Sequence, residues 1–331
     1  MEKASPPISE SSHGLPLASP DADGNLDKNN DSSSAPTISV ILNTRNEENN
    51  IANAINSVRS WANEIVVMDM QSDDDTVRIA ESLGARVFTF PRVINFDAAR
   101  VAAVKHATSD WILLLDADEV IPFELSQQLL HLAETGRADA YTIPRLNYFS
   151  GAPMLHAGWG PDDDRQLRFY RRGTVQLNDI LHAHIAPLPD ARVVNLRYSP
   201  DVCIVHFNYR DSNQFVAKLN QYTSLTAFQR KDSMRWRDKS LVFIPMLEFL
   251  RRYVTKSGYL SGWRGFYYAF MMAAYRMTQA VKIREMQLHC NEENSSVRYQ
   301  EIARGIVARY QSAQNGSDAA SGERRGSSAE R

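Results

Sequence analysis

Cysteine is nearly absent from this chain: Cys203 and Cys290 are the only two among 331 residues. Two thiols are too few for a disulfide framework or a cysteine-based zinc site, so a reducing compartment is expected. There is no excess of charge of either sign, with 37 Lys and Arg against 39 Asp and Glu and a formal net charge of −2. That balance excludes nucleic acid as the main partner. The opening residues lack a basic patch followed by an apolar core, so no secretory leader is expected. No G-x-G-x-x-G follows the first apolar strand, which argues against a bound dinucleotide, and no G-x-x-x-x-G-K-[ST] occurs, which argues against a P-loop. Long apolar runs are missing too. The longest uncharged stretch of the C-terminal region, Gly265–Tyr275, has 11 residues, short of the ~20 needed to cross a bilayer.

What is present is uneven. Residues 1–36 hold eight Ser and five Pro and no aromatic residue, a composition that cannot offset its ordering entropy and predicts a disordered tail. Residues 312–331 read the same way. Between the tails, short aliphatic runs alternate with helical periodicity. Ile38–Leu42, Ile65–Met68, Arg86–Phe90 and Trp111–Leu115 read as strands. The segments 51–58, 77–83, 98–107 and 122–132 read as helices. Continuously apolar strands alternating with helices predict an α/β fold with a mostly parallel sheet covered on both faces. Ligands of such sheets bind beyond the carboxyl ends of the strands.

The polar clusters fall at those ends. Thr44, Arg45, Asn46 and Glu47 follow the first strand; Asp69, Ser72, Asp74 and Thr76 follow the second; Asp116, Ala117 and Asp118 follow the fourth. Two carboxylates separated by one small residue on an extended segment face the same way. Together with phosphate oxygens they suit a hard divalent cation, Mg²⁺ or Mn²⁺, that would neutralise a departing diphosphate. Asp69 can accept hydrogen bonds from a nucleobase or a ribose hydroxyl. Helix capping is the plainer role for Asp73–Thr76 and for the Thr44–Glu47 cluster.

Three stretches, Ile-Leu-Asn-Thr-Arg-Asn-Glu-Glu-Asn (41–49), Glu-Ile-Val-Val-Met-Asp-Met-Gln-Ser-Asp-Asp-Asp-Thr (64–76) and Asp-Trp-Ile-Leu-Leu-Leu-Asp-Ala-Asp-Glu (110–119), resemble the nucleotide-sugar half of family 2 inverting glycosyltransferases, which have the GT-A fold. The resemblance continues through Asn147–Gly151, Gly158-Trp159, Gln166–Gly173, His206–Asp211 and Gly258–Phe266. It is nearest to the lipopolysaccharide-core, beta-1,4-glucosyltransferase-like branch and covers about residues 37–285. It implies that Thr44, Arg45, Glu47 and Asp69 hold the base and ribose of a sugar nucleotide. Arg100 would add a basic donor contact from the helix after the third strand, although Val101 stands where the family usually has asparagine. Asp116, Ala117 and Asp118 would meet the ribose, the diphosphate and its metal, Asp118 most directly. Leu-Asp-Ala-Asp-Glu-Val also resembles the D-x-D-x-[TV] of haloacid-dehalogenase phosphotransferases, whose nucleophilic Asp belongs on the first core strand rather than the fourth. A non-catalytic homologue that binds only a nucleotide sugar or a membrane is the third reading.

Inversion in one step needs a carboxylate to take the acceptor hydroxyl's proton. Asp164 aligns with the family's carboxylate and is expected to be that base, with Asp163 second. His182 is expected to be functional, but Ala183 replaces the glutamate that relatives carry after it. His206 and one of Arg168, Arg171 and Arg172 are further candidates for contact with metal or phosphate. From Lys239 to Arg284 there are eight Lys and Arg, one acid and ten aromatic residues. Such a segment fits the headgroup plane of an anionic membrane. The expected organisation is therefore a tail (1–36), a catalytic domain (37–236), a basic-aromatic membrane-facing helical region (237–290), and a short helix with a second tail (291–331). The expected partners are a nucleotide-sugar donor, a glycan or glycolipid acceptor and an anionic membrane surface. The expected place is the cytoplasmic face of a bacterial inner membrane.

Overall fold

The computed structural model describes residues 35–92, 96–176, 185–232, 240–288 and 294–310. Both expected tails, apart from residues 35 and 36, and His182 with its neighbours lie outside the described residues. The chain divides into a unit Met1–Ala35, of which only Ala35 is described, and a compact unit from Pro36 onward.

The second unit runs β1 (Ile38–Thr44), α1 (Ile51–Asn56), β2 (Glu64–Asp69), α2 (Thr76–Ser82), β3 (Arg86–Thr89), α3 (Phe96–Val104), β4 (Trp111–Asp116), β5 (Glu119–Val120), α4 (Phe123–Thr135), β6 (Ala140–Phe149), β7 (Ala152–Pro153) and β8 (Arg165–Arg171). It continues through β9 (Val175–Gln176), β10 (Ala186–Pro187), β11 (Val193–Asn195), β12 (Ile204–Tyr209), α5 (Ser212–Arg230), α6 (Ser240–Leu250) and α7 (Gly262–Gln287). A π-helical turn (Arg251–Thr255) and a 3-10 turn (Gly258–Ser261) join α6 to α7, and residues 294–310 form a further, largely exposed helix.

The central sheet has the order β3-β2-β1-β4-β8-β6-β12-β5. β1 to β4 pair in parallel, β8 enters antiparallel between β4 and β6, and β6 pairs in parallel with β12. This is the α/β, mostly parallel arrangement the alternation predicts. Every residue of β1 is buried because helices cover both faces. Ile38, Val40 and Leu42 join α1, α2 and α4 in one core layer, while Ile41, Val66 and Leu114 join Ala99 and Ala103 of α3 in the other.

The helical region packs against the domain, since α5 lies on α7. Its attachment is polar as well as apolar. Buried Arg252 donates to Glu248 Oε1 (2.6 Å) and to the Ala157 carbonyl (2.8 Å), and its guanidinium lies 5.0 Å from the Trp159 ring. Arg264 donates to the Ser150 carbonyl (2.9 Å). The loop 150–160 is thus clamped by the π-turn and α7. Gly265 sits where the α7 backbone crosses Gly258: a Cβ there would stand 1.8 Å from the Gly258 carbonyl oxygen. Gly265→Ala is expected to cost ~1–3 kcal/mol by overpacking. At roughly 2–4 °C per kcal/mol, circular dichroism melting should show a Tm lower by several degrees.

Candidate active site

The carboxyl ends of β1 and β4 open onto a cleft of about 600 Å³ whose lining includes Arg45, Glu47, Arg100, Asp116, Ala117 and Asp118. All six are among the residues the resemblance assigns to the donor. Thr44 and Asp69 lie side by side at the ends of β1 and β2, buried just outside that lining. The Asp69 carboxylate accepts from Ser72 N (2.9 Å) and Ser72 Oγ (2.5 Å). The loops after β1 and β2 are zipped together: Asn46 N donates to Ser72 Oγ, Glu47 N to Thr76 Oγ1 and Glu48 N to Asp74. The Ser72–Thr76 run therefore fixes the floor of the cleft instead of only capping α2.

The two carboxylates of the Asp-Ala-Asp turn have different surroundings. Asp116 accepts from Arg100 Nη2 (2.8 Å) and from Arg168 Nη2 (2.6 Å), with Arg145 Nη1 at 3.9 Å. Arg145 and Arg168 also reach Glu119, which is fully buried, at 3.0 and 3.3 Å. Burial alone would raise the Asp116 carboxyl, but Arg168 and Arg100 hold it well below the usual carboxylate range. The expectation that Asp116 shares a metal with Asp118 does not fit this geometry, because guanidiniums bond both of its oxygens.

Asp118 faces His206 instead, with Oδ2 3.4 Å from Nε2. The state of that imidazole follows from Asn147. The Asn147 amide nitrogen donates to the Trp159 carbonyl (3.0 Å) and to Asp164 Oδ2 (2.8 Å), so its oxygen is the atom 2.7 Å from His206 Nδ1. Nδ1 must then carry a hydrogen. In neutral His206 the Nε2 lone pair points towards a carboxylate, an arrangement that a proton or a cation between them stabilises. Burial opposes ionisation of Asp118, yet His206, when it carries a second proton on Nε2, and the charge of Lys218 keep its carboxyl below the ordinary value; in the neutral tautomer a cation between the two groups would take that proton's place. Glu47 is the opposite case: burial raises its carboxyl, against a hydrogen bond from Asn50.

The expected base is placed elsewhere. Asp164 does not line the cleft; it is bonded by Arg145 (Nε 2.9 Å), Asn147 and Gln166 (2.9 Å). Burial alone would raise its carboxyl, but Arg145 first and then these hydrogen bonds hold it below the usual range, which disfavours a proton acceptor. Asp163 pairs with Lys256 at 2.5 Å, and Asp162 with Arg165 at 2.6 Å. Asp164 is therefore a buttress for Arg145, which does line the cleft.

Sequence reasoning missed Arg145, Glu119, Asn147 and Lys218 and left Arg168 as one of three. The available signal was a charge inside a mostly buried strand: Arg145 interrupts β6, and a buried charge has to be paired, whereas Arg168 is one of three arginines in β8 and stands out only by its burial. Among the described residues no cluster of three or more His, Cys, Asp or Glu could hold a metal. The Asp118–His206 pair supplies two ligands at most.

Residues 39–186 match the family model described as Glycosyl transferase family 2. A glycosyltransferase of Rickettsia bellii is 27% identical over 270 residues, covering 78% of this chain and 90% of that one. The lipopolysaccharide core biosynthesis glycosyltransferase LpsC of Rhizobium meliloti is 28% identical over 255 residues, covering 74% of this chain and 91% of that one. Glucosyl-3-phosphoglycerate synthase from Mycobacterium tuberculosis, solved with Mn²⁺, UDP and glucosyl-3-phosphoglycerate, is 26% identical with a TM-score of 0.30. That overlap is 34% of this chain and under half, 44%, of that one. A family 2 glycosyltransferase domain thus lies over residues 39–186. Its mostly parallel sheet with polar strand ends is the GT-A arrangement that the sequence resemblance implies.

Arg168→Met would leave Glu119 and Asp116 short of a partner and is expected to cost ~3–5 kcal/mol. Urea unfolding should show that loss, and the double variant Arg168→Met/Asp116→Asn should recover part of it.

Proposed function

We propose that this chain moves a hexose with inversion from a nucleoside diphosphate sugar to a lipid-linked or lipopolysaccharide-core saccharide. The observation that carries the reading is the division of labour in the Asp-Ala-Asp turn. Asp116 is neutralised by arginines, while Asp118 and His206 present converging lone pairs to the cleft. That pair fits a Mg²⁺ or Mn²⁺ ion, whose remaining positions diphosphate oxygens would fill. The chemistry such an ion supplies is neutralisation of charge on the departing diphosphate. Arg45, Arg100 and Lys218 in the cleft lining add positive charge for the phosphates. Thr44 and Asp69 remain candidates for the nucleoside at the ends of β1 and β2. The Oγ1 of buried Thr44, which has no hydrogen-bond partner among the described residues, is an unused hydrogen-bonding group there. Asp164 acts in this scheme through Arg145, which it bonds and which lines the cleft.

The acceptor side of the proposal includes a membrane. Val242, Phe243, Leu247 and Leu250 of α6 are exposed, as are Tyr259, Trp263, Phe266 and Phe270 around the start of α7. Phe266 meets Phe249 and Tyr253 edge-to-face and stacks on Phe270, so the two helices share one aromatic ridge. Trp263 carries the Arg264 guanidinium 4.6 Å from its ring. Among the described residues no helix is long and apolar enough to cross a membrane. A short apolar helix with basic and aromatic neighbours suits an in-plane position in the headgroup region.

Two outcomes follow. With Mn²⁺ and a panel of uridine, guanosine and adenosine diphosphate sugars, one donor should raise Tm by ~5 °C or more when saturating. Chelator or Asp118→Asn should abolish that rise; a rise indifferent to both would contradict the proposal. Secondly, the full chain should sediment with phosphatidylglycerol-containing vesicles. Phe243→Glu/Leu247→Glu should weaken that partition about tenfold or more, since each lost side-chain burial is worth roughly 1.5–3 kcal/mol.

A further inference from the structure

A second cavity, about 200 Å³, adjoins the cleft and shares Trp159, Tyr209 and Tyr222 with it. Phe215 and Leu219 of α5 and Met272 and Tyr275 of α7 complete its walls. None of these four belongs to the cleft lining. The volume exceeds the ~150 Å³ of an engineered cavity that admits a benzene ring.

The lining is amphipathic in a specific way. Its surfaces are aromatic and aliphatic, yet polar edges are left over. Trp159 Nε1 is buried and has no hydrogen-bond partner among the described residues. The hydroxyls of Tyr209, Tyr222 and Tyr275 also have no hydrogen-bond partner among those residues. A buried donor without a partner costs free energy unless a ligand or water meets it. The rings are also held in place. Trp159 packs edge-on against Phe149 at 5.0 Å and under Arg252, while Tyr209 packs against Phe149, Phe215 and Tyr268. Pre-set aromatic walls with a few unpaired polar edges are the chemistry of a binding pocket rather than of a packing fault.

A pyranose ring matches this chemistry: one face offers C–H groups to an aromatic wall, and its rim offers hydroxyls to indole N–H and phenol groups. An alkyl chain would leave the Trp159 N–H unmet, and a nucleobase has its place at the opposite, β1–β2 end of the cleft under the proposed function. We infer that the pocket bounded by Trp159, Tyr209, Tyr222, Met272 and Tyr275 is the subsite for a sugar ring of the saccharide acceptor. The inference rests on the proposed glycosyl transfer and adds where the acceptor lies. It also gives α7 a role at the site, since one of its faces supplies Met272 and Tyr275 to the pocket.

Saturation-transfer NMR on the full chain with methyl glucoside, galactoside, mannoside and heptoside tests this, with decyl maltoside as a comparison. At least one methyl glycoside should receive saturation at its ring C–H protons. Met272→Trp, which fills the pocket, and Tyr275→Leu, which removes a wall, should each weaken that signal about fivefold or more. Neither residue lines the donor cleft, so both variants should keep the donor-induced rise in Tm, which also reports that they fold. Ring signals unchanged in both variants would overturn the inference. So would saturation confined to the decyl chain with all methyl glycosides silent, which would mark an alkyl site. Loss of the donor effect in the unmodified chain, with the glycoside signals intact and sensitive to both variants, would count against the donor reading and leave the sugar subsite standing.

Discussion

The cleft is organised by a cluster of buried and half-buried charges on β4, β5, β6 and β8. Arg145 on β6 and Arg168 on β8 project beside the end of β4, where Asp116 and Glu119 wait for them, and Arg100 reaches in from α3. Separating charges from water is costly, and removing one member leaves the others uncompensated. The antiparallel insertion of β8 between β4 and β6 is what brings Arg168 to Asp116. The sheet topology and the electrostatics of the cleft are thus the same constraint seen twice. One consequence is functional. With Asp116 occupied, the free carboxylate of the turn is Asp118, and its neighbour is a histidine whose tautomer Asn147 sets.

Asn147 is the joint between the donor side and the loop 150–160. Its amide bonds the Trp159 carbonyl and Asp164, and its oxygen meets His206. Trp159 is in turn covered by Arg252 from the π-turn after α6. A short chain of contacts therefore runs from the exposed apolar helices to the imidazole beside Asp118. Under the proposed transfer to a lipid-linked acceptor, these contacts join the surface proposed to meet the lipid to the groups proposed to meet the diphosphate.

Much of the fold was legible from periodicity. Ile38–Leu42, apart from the buried Ser39, and Trp111–Leu115 are apolar because both sheet faces are covered, and the clusters at their ends fall where ligands of parallel sheets bind. The second half was less legible because its informative residues are pairwise. Nothing local in Asp162-Asp-Asp164 says that each acid already has a cation, from Arg165, Lys256 and Arg145, and two of those lie at least 19 residues away. Resemblance pointed to Asp164 as a base for the same reason: an alignment column records a carboxylate and not its partner. The difference between Asp116 and Asp118 is likewise invisible in a three-residue motif, since it is made by β6, β8 and β12.

The central claim is that Asp118 and His206 together take the divalent ion while Asp116 does not. Pulsed electron paramagnetic resonance of Mn²⁺ bound to the full chain with UDP, GDP or ADP reads it directly. The account predicts nitrogen coupling from a directly bound histidine, lost in His206→Ala and retained in Asp116→Asn. A bound Mn²⁺ with no histidine nitrogen coupling, or coupling unchanged by His206→Ala, would contradict it.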